Sequence, residues 1–407
     1  MGEFAGGASG GASGGASGGA SGGASGGASG RNLVLSDSYA DSLYAEALTR
    51  HRGGIVDMSA EANSLLWTFT DDSTNPQRVF RWDRWVRGSL AAYEITRYMD
   101  FERTPPDFEA QPKDKKKRSA RAAPAAVEPT VVLKVRHPGP DASVMFTMTR
   151  PPERIIESQL RLVLDYAELR SERSAEILTQ IPNQAPFWGS LIPLHTDRMR
   201  HTAELLDIAV EMAVVVEMRF KHDLAAFRPA DYSWMVQPMI TTPGHGSIPS
   251  GHCTQSYVLL TVLKALLKSR PTNSADGAAR AVNTQLERTA ARIATNRVVA
   301  GVHFPVDNIA GRALGIVLGD YFVYRCQPTP EKGAWLPWSH GGFNGLEVPA
   351  GEDFDPVRQR FEPGARGMPG YYTCGRSKDK SPPPPSLLQT LWARSVAELK
   401  GLNQIFE

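Results

Sequence analysis

Residues 221–229 read KHDLAAFRP, residues 247–252 read SIPSGH, and residues 297–307 read RVVAGVHFPVD. Together the runs supply Lys, Arg, His and Asp side chains, Ser hydroxyls and Gly amides. Cationic side chains and N–H or O–H donors are the groups that bind a tetrahedral oxyanion such as phosphate. The sequence therefore predicts one oxyanion site, with the remaining chain folded so as to hold the three runs together.

Two of the cations are predicted to lie on one face of a helix. Lys221 and Arg228 are seven residues apart, and at about 3.6 residues per turn this spacing brings them within about 20° of each other. Pro229 follows directly and cannot continue a helix. We therefore expect the helix to end there, with Arg228 close to its C-terminus.

The second run is predicted to begin a helix. Apolar residues recur at helical spacing from Tyr257 to Leu266, shortly after Ser250 and Gly251. Unpaired N–H groups and the positive end of the helix dipole favour an anion at such an N-terminus, and a glycine lets the backbone approach it closely. The Ser250 hydroxyl is a further candidate donor to the anion.

The third run adds a cation, an imidazole and a carboxylate. Arg297 and His303 are six residues apart, and Asp307 lies four residues beyond His303. A carboxylate at this distance can accept the Nδ1–H of the ring, which fixes the tautomer and leaves Nε2 free to attack or to ligate.

The three runs, written K-x6-R-P, P-S-G-H and R-x5-H-x3-D, resemble the signature shared by three groups of enzymes. These are the type 2 phosphatidic acid phosphatases, the bacterial class A acid phosphatases and the vanadium-dependent haloperoxidases. The resemblance covers the central third of the chain. One departure is visible, because the third motif usually opens with Ser-Arg, whereas this chain has Asn296-Arg297. An Asn amide can still donate hydrogen bonds.

The resemblance implies a role for each residue. In a phosphatase His303 would be the nucleophile. In a haloperoxidase it would be the metal ligand, as the single protein ligand to vanadium. His252 would be the general acid and base, and Asp307 would orient His303. The oxygens of phosphate or vanadate would be held by Lys221, Arg228, Ser250, Gly251 and Arg297. The ordinary alternative for any one of these is that a lone Lys or Arg is a solvated surface charge and a lone His is structural.

His245 lies seven residues before His252. In the haloperoxidases this position differs with the halide oxidised, and a His resembles the bromoperoxidases more than the chloroperoxidases. The alternative is a loop His that bonds to the backbone. A tuning role for the halide or substrate and a purely structural role both stay open.

Composition indicates an ordinary globular protein, with 41% apolar and 22% charged residues and a formal net charge of +2. This balance does not point to nucleic acid, and no run approaches the roughly 20 apolar residues of a membrane span. The cysteines are odd in number and lack metal-ligand spacing, and nothing resembles a signal peptide. A cytoplasmic location is therefore the default expectation, and a homo-oligomer is compatible with it.

Domain organisation is expected to follow composition. Residues 1–30 resemble an engineered Gly/Ala/Ser linker, which stands where a native leader would lie. Residues 31–150 are expected to form an N-terminal helical region with a basic loop at 113–121 and a hairpin. A catalytic helical core over 151–330 and a Gly- and Pro-rich C-terminal wrap over 331–407 would follow.

The predicted fold is mainly α, a helical bundle with the active site in its core. Trp82 and Trp85 are predicted to face inward on a helix within residues 77–98. A small β-hairpin, with strands at 130–135 and 143–148, is expected to decorate the edge as a lid or addition.

The leading functional prediction is a vanadium-dependent haloperoxidase-like enzyme. Vanadate would be the cofactor. The partners would be hydrogen peroxide, a small organic substrate and a halide, with bromide expected more than chloride. This preference rests on length, because the compact phosphatases with these motifs are shorter chains. The alternative is an acid phosphatase that hydrolyses a phosphomonoester through a phosphohistidine, since phosphate fits the same cage. A non-catalytic oxyanion-binding protein is disfavoured because His252 and His303 are both present.

Overall fold

A computed structural model describes residues 46–51, 80, 82–104, 128–136, 142–195, 197–269, 276–327, 337–377 and 386–406. The linker at 1–30 and the basic loop at 113–121 lie outside the described residues. The chain divides into two compact units, residues 1–87 with 181–183 and residues 88–180 with 184–407.

The described part of the first unit includes the start of helix α1, Arg84–Thr96, which continues into the second unit. Arg87 donates hydrogen bonds to the carbonyl oxygens of Phe80 and Trp82. The side chains of Trp82 and Trp85 are 50% and 70% exposed. The prediction that they form an inward-facing helical stripe is wrong, because α1 begins at Arg84, after Trp82, and both side chains are largely exposed.

The second unit is mostly helical with one small mixed sheet. Its strands are β1 Met99–Thr104, β2 Thr130–Arg136, β3 Ala142–Thr149, β4 Trp338–Asn344 and β5 Tyr372–Ser377. After α1, its helices are α2 Glu153–Tyr166, α3 Arg170–Gln180, α4 Ala185–Gly189, α5 Arg200–Leu224, α6 Pro229–Tyr232, α7 Gly251–Lys268, α8 Asp276–Val299, α9 Pro305–Cys326 and α10 Ser386–Phe406. Short 3-10 turns cover Ala167–Leu169, Trp234–Val236 and Gly345–Glu347.

The strands lie in the order β1-β2-β3-β4-β5, antiparallel throughout except for the parallel pair β3 and β4. The predicted hairpin is present as β2 and β3, and Val131, Leu133 and Val135 alternate inward as a half-buried strand requires. Its expected place at an edge is wrong, because β1 covers one side and β4 the other. The C-terminal region is thus part of the sheet, since β4 and β5 come from it.

This sheet braces the end of helix α5 that carries the first site residue. Phe101 and Phe146 each pack edge-on against Phe220, with ring centroids 5.7 and 6.1 Å apart. Arg103 donates through Nε to the Asp223 carbonyl oxygen at 2.7 Å. A carbonyl in the last turn of a helix lacks an intrahelical partner, so this bond satisfies one that would otherwise be orphaned.

The other end of α5 is capped by helix α10. Glu398 accepts hydrogen bonds from the backbone N–H groups of His201 and Thr202 at 2.9 and 2.8 Å, and from the Thr202 hydroxyl at 2.8 Å. A carboxylate at a helix N-terminus satisfies free N–H groups and complements the helix dipole. Both ends of α5 are therefore fixed by distant parts of the chain.

A stripe of glycines brings helices α7 and α9 together. Gly311, Gly315 and Gly319 follow each other at four-residue spacing on α9. A Cβ at Gly311 would lie 2.9 Å from the Ser250 carbonyl oxygen, and one at Gly319 would lie 2.6 Å from Cβ of Thr261. No larger residue fits without movement of α7. The close contact sets the start of α7, and with it the second sequence run, beside the start of α9.

Across the residues that the structure describes, no helix is long and apolar enough to cross a membrane. A bundle arranged around the site, and a homo-oligomer, stay predictions.

Candidate oxyanion site

Lys221 lies in the last turn of α5 and is 1% exposed. Its ammonium donates to the carbonyl oxygens of Gly246 at 3.2 Å, Ser247 at 3.1 Å and Pro249. The first and second runs are therefore in direct contact. Burial, together with the charge of Arg228, lowers the pKa of Lys221 to about 7, and the nearby carboxylates of Glu217 and Asp307 oppose the shift.

Lys221 and Arg228 do not share a helix, so that prediction is wrong. Helix α5 ends at Leu224, and Ala225 adopts the left-handed conformation with φ 47° and ψ 42°. Such a residue ends a helix and turns the chain away. Arg228 is extended, with φ −95° and ψ 163°, and Pro229 begins α6 instead of ending α5. Proline disfavours a helical residue before it and suits the first helical position.

The extended conformation still aims Arg228 into the site. Its Nε donates to the His245 carbonyl oxygen at 3.0 Å, and Nη1 donates to the Val302 carbonyl oxygen at 2.6 Å. Nη1 also lies 3.4 Å from Nε2 of His303. One guanidinium therefore joins the loop before the second run to the turn that carries the third.

The Ser-Gly-His turn begins α7 as predicted, with Ser250 as the residue before the first turn. The Ser250 amide donates to the Asp307 carbonyl oxygen at 2.9 Å, and its buried hydroxyl has no hydrogen-bond partner among the described residues. At Gly251 a Cβ would lie 2.8 Å from Oε1 of Glu217. A larger residue there would require the Glu217 carboxylate to move, and the Ser250 hydroxyl beside it has no partner among the described residues.

His303 and Asp307 make the predicted contact, with Nδ1 and Oδ2 3.0 Å apart. The same Oδ2 accepts from the Phe304 backbone N–H at 2.9 Å and from the Ser247 hydroxyl. Burial raises the pKa of Asp307, and the bonds from Ser247 and Phe304 oppose that shift. Ser247 is a site residue to which the sequence assigned no role.

The tautomer of His303 follows from its neighbours. A guanidinium can only donate hydrogen bonds, so the Nε2 atom that faces Arg228 carries a lone pair. Nδ1 then carries the proton and donates it to Asp307. Burial, with the charges of Arg228 and Lys221, holds the pKa of His303 well below its ordinary value. The ring is a neutral base or ligand at neutral pH.

His252 lies on the first turn of α7, and its Nε2 is 3.2 Å from the Gln180 carbonyl oxygen. A carbonyl can only accept, so Nε2 carries the proton and Nδ1 the lone pair. Burial and the charge of Arg297 lower the pKa of His252 to about 3. A bound anion would raise this pKa, because opposite charge favours the protonated ring.

Arg297 is 1% exposed in the last turn of α8. Nη2 donates to Oε1 of Gln180 at 2.8 Å and to the Ile177 carbonyl oxygen at 3.3 Å. Its Nε and Nη1 are buried and have no partner within the described ranges. Burial lowers the pKa of Arg297 to about 10, so the group remains a cation at neutral pH.

His245 is half-buried against Arg228, with its Nδ1 3.2 Å from Nη2. Its carbonyl oxygen also accepts from Arg228. Burial and the charges of Lys221 and Arg228 lower the pKa of His245 to about 4. This His therefore contacts the site directly, while its proposed influence on a halide or substrate stays a prediction.

The three cations share one property. Lys221, Arg228 and Arg297 are held by carbonyl oxygens and by neutral His and Gln side chains, and none forms an ion pair with a carboxylate of the described part of the chain. No direct ion pair with a described carboxylate therefore competes with a bound anion for these three side chains.

Two buried groups outside the predicted set complete the surroundings. Gln180 lies at the end of α3 and contacts both Arg297 and His252. Glu217 lies one turn before Lys221, accepts from Gln255 at 2.9 Å, and has one oxygen without a partner among the described residues. Burial raises the pKa of Glu217 to about 7. Gln180 lies far from the three runs in sequence, whereas Glu217 lies one helical turn before Lys221, a spacing that could have indicated its place beside the site.

Residues 205–331 match the family model of the PAP2 superfamily, and this range contains every predicted site residue. These residues are similar to the PAP2 superfamily. Among solved structures, this chain is similar to one described as the first transmembrane PAP2 type phosphatidylglycerolphosphate phosphatase from Bacillus subtilis. The sequence identity is 18% and the TM-score is 0.33. That match covers 41% of this chain and 84% of the other. No curated protein sequence matches the chain significantly.

Proposed function

We propose that this protein hydrolyses phosphate monoesters through a phosphohistidine formed on His303. The observation that carries the proposal is the neutral His303 ring, whose Nδ1–H is held by Asp307 at 3.0 Å while Nε2 faces Arg228. A nucleophile needs an available lone pair and a partner that fixes its orientation, and His303 has both.

The donors around this nucleophile suit a tetrahedral anion. Nε and Nη1 of Arg297 and the Ser250 hydroxyl have no partner in the described ranges, although all are buried. Buried donors without partners are costly unless a ligand or water satisfies them. Phosphate oxygens would satisfy them, and the charges of Lys221 and Arg228 would neutralise the dianion.

The first half-reaction transfers the phosphoryl group to the protein. Nε2 of His303 attacks phosphorus with its lone pair, the new N–P bond forms, and the ester P–O bond breaks. His252, protonated because of the bound dianion, gives its proton to the leaving oxygen, so an alcohol departs. Asp307 stabilises the positive charge that develops on the His303 ring.

The second half-reaction restores the enzyme. His252, now neutral, takes a proton from a water molecule, and the water oxygen attacks phosphorus as the N–P bond breaks. The electron pair of that bond returns to Nε2 of His303. Inorganic phosphate leaves, and both rings regain their starting protonation.

The test is to trap the intermediate. The enzyme is mixed with a radiolabelled aryl phosphate and quenched during turnover, and the protein is then analysed for acid-labile, base-stable phosphate. We expect label on the wild type and none on His303→Ala. His222→Ala is the matched control, because His222 is exposed on the last turn of α5 and should be labelled normally. A fully active enzyme with no covalent label would overturn the proposal.

The second candidate is the vanadium-dependent haloperoxidase, and the contact of His245 with Arg228 is the observation that favours it. The donors fit the cofactor: Arg297, Ser250, Lys221 and Arg228 would hold vanadate oxygens, and Nε2 of His303 would ligate vanadium. Bound vanadate supplies the activation of hydrogen peroxide for halide oxidation.

Chain length does not separate the two candidates, because the described N-terminal strands brace α5, and that support serves either reaction. Vanadate-loaded protein given hydrogen peroxide and bromide should brominate an electron-rich phenol if the second candidate is correct. No bromination at any vanadate concentration, together with rapid hydrolysis by the vanadate-free protein, would eliminate it.

A further inference from the structure

Gln180 connects two residues of the site from outside the three sequence runs. It ends α3 and is 1% exposed. Its Oε1 accepts from Nη2 of Arg297 at 2.8 Å and from Nδ2 of Asn296 at 3.1 Å. Its backbone carbonyl oxygen lies 3.2 Å from Nε2 of His252. Arg297, a cation of the site, and His252, the candidate acid and base, therefore both contact Gln180.

The orientation of the amides in this cluster is determined by chemistry. A guanidinium has no acceptor, so Gln180 must turn its oxygen, and not its nitrogen, toward Arg297. Nη1 of Arg173 lies 3.3 Å from Oδ1 of Asn296, which by the same rule must be an oxygen. Nδ2 of Asn296 is then free to donate to Gln180 and to Glu176, at 3.1 Å each.

This arrangement accounts for the departure from Ser-Arg in the third motif. Asn296 has an acceptor and two N–H donors, whereas a serine hydroxyl has one donor on a shorter side chain. The longer amide spans Arg173, Glu176 and Gln180 at once. Asn296 therefore steadies the side chain that holds Arg297.

We propose that Gln180 is a positioning residue that orients Arg297 toward the bound oxyanion without neutralising its charge. An amide oxygen accepts a hydrogen bond as a carboxylate does, but it carries no charge that competes with the anion. Since Nε and Nη1 of Arg297 have no partner in the described part of the chain, the orientation leaves two donors for the ligand. The inference rests on the proposed oxyanion site.

Two substitutions at Gln180 separate this role from simple packing. Gln180→Glu keeps the size of the side chain and adds a charge that pairs with Arg297. Gln180→Ala removes the orienting bond and leaves a cavity. If Gln180 only fills space, Gln180→Ala should be damaging through lost volume, and Gln180→Glu should cost no more phosphate affinity than a buried charge placed at another Gln.

The measurements are the affinity for inorganic phosphate by titration calorimetry and the thermal midpoint of unfolding, on the full chain. We expect Gln180→Glu to weaken phosphate binding by a factor on the order of ten or more, since a charge-assisted hydrogen bond is worth about 1.5–3 kcal/mol. We expect Gln180→Ala to weaken binding less and to lower the midpoint more. The matched control is Gln159→Glu. Gln159 is also buried but lies on α2, and it hydrogen-bonds to backbone groups of Val306 and Glu352 and to no cation of the site.

The outcomes distinguish this proposal from the proposed function. If the wild type binds neither phosphate nor vanadate, the oxyanion site itself is wrong. If the wild type binds phosphate and Gln180→Glu binds it equally well, only the role of Gln180 is overturned. Equal losses of affinity in Gln180→Glu and Gln159→Glu would also overturn it, because buried charge alone would then explain the effect.

Discussion

Replacing Arg228 with Lys keeps the positive charge and removes the geometry, so it tests how the site binds an anion. In the structure two nitrogens of Arg228 donate hydrogen bonds to two different loops. Nε donates to the His245 carbonyl oxygen at 3.0 Å, and Nη1 donates to the Val302 carbonyl oxygen at 2.6 Å. A third, Nη2, lies 3.4 Å from the Gly246 carbonyl oxygen. An ammonium has its donors on one nitrogen and cannot span these positions.

The size of the effect follows from the bonds that are lost. Arg228→Lys must give up at least one charge-assisted hydrogen bond, either to the anion or to a loop that holds the anion's other partners. Such a bond is worth about 1.5–3 kcal/mol, which corresponds to a ten- to roughly hundredfold rise in the dissociation constant. The nucleophile should be affected as well, because Nη1 lies against Nε2 of His303.

The assay is calorimetric titration with inorganic phosphate, with unfolding curves recorded in parallel. Arg219→Lys is the matched control: Arg219 lies on α5, is half-exposed and pairs with Asp223 at 3.1 Å, and surface substitutions of this kind usually change stability by no more than about 0.5 kcal/mol. Unchanged phosphate affinity in Arg228→Lys would refute the reasoning. Equal losses in both variants would refute it too, because the guanidinium fork at Arg228 would then not be the cause.

Two further predictions concern the carboxylates of the site. Asp307→Asn should leave phosphate affinity largely intact and slow formation of the phosphoenzyme by about 10- to 100-fold, because a neutral amide cannot stabilise charge developing on His303; single-turnover rates equal to wild type would contradict this. Lys221, with its pKa lowered to about 7, is cationic below that pH and loses its proton above it, so its share of phosphate affinity should decline as pH rises through neutrality. Glu217→Gln removes a charge that raises the pKa of Lys221, so the decline in phosphate affinity should move to lower pH. The ratio of variant to wild-type affinity is measured across pH, so that the titration of phosphate itself cancels. An unchanged midpoint would show that Glu217 does not act on Lys221.

The contact between His303 and Asp307 and the start of α7 could be predicted from sequence because they depend on local spacing. His303 and Asp307 are four residues apart, and that distance alone brings ring and carboxylate into contact at the start of α9. Ser250 and Gly251 likewise precede an apolar run that becomes α7.

The sequence-based predictions were wrong or incomplete where the conformation of a single residue, or a contact with a distant segment, determines the structure. Nothing in the sequence marks Ala225 as left-handed, yet its conformation ends α5 and separates Lys221 from Arg228. Gln180 is more than one hundred residues from Arg297 along the chain, and its role exists only because α3 packs against α8. The place of the hairpin within the sheet similarly depends on β4, which arrives from the C-terminal region.

The cations of the site are anchored mainly to main-chain oxygens, those of Ile177, His245, Gly246, Ser247, Pro249 and Val302. A substitution changes a side chain and leaves the peptide carbonyl in place. The loop ahead of the Ser-Gly-His turn can therefore accumulate mutations without deleting the acceptors that aim the charges. Laboratory evolution of substrate choice should accordingly begin with residues 233–244, where side chains can be exchanged while these main-chain acceptors are kept.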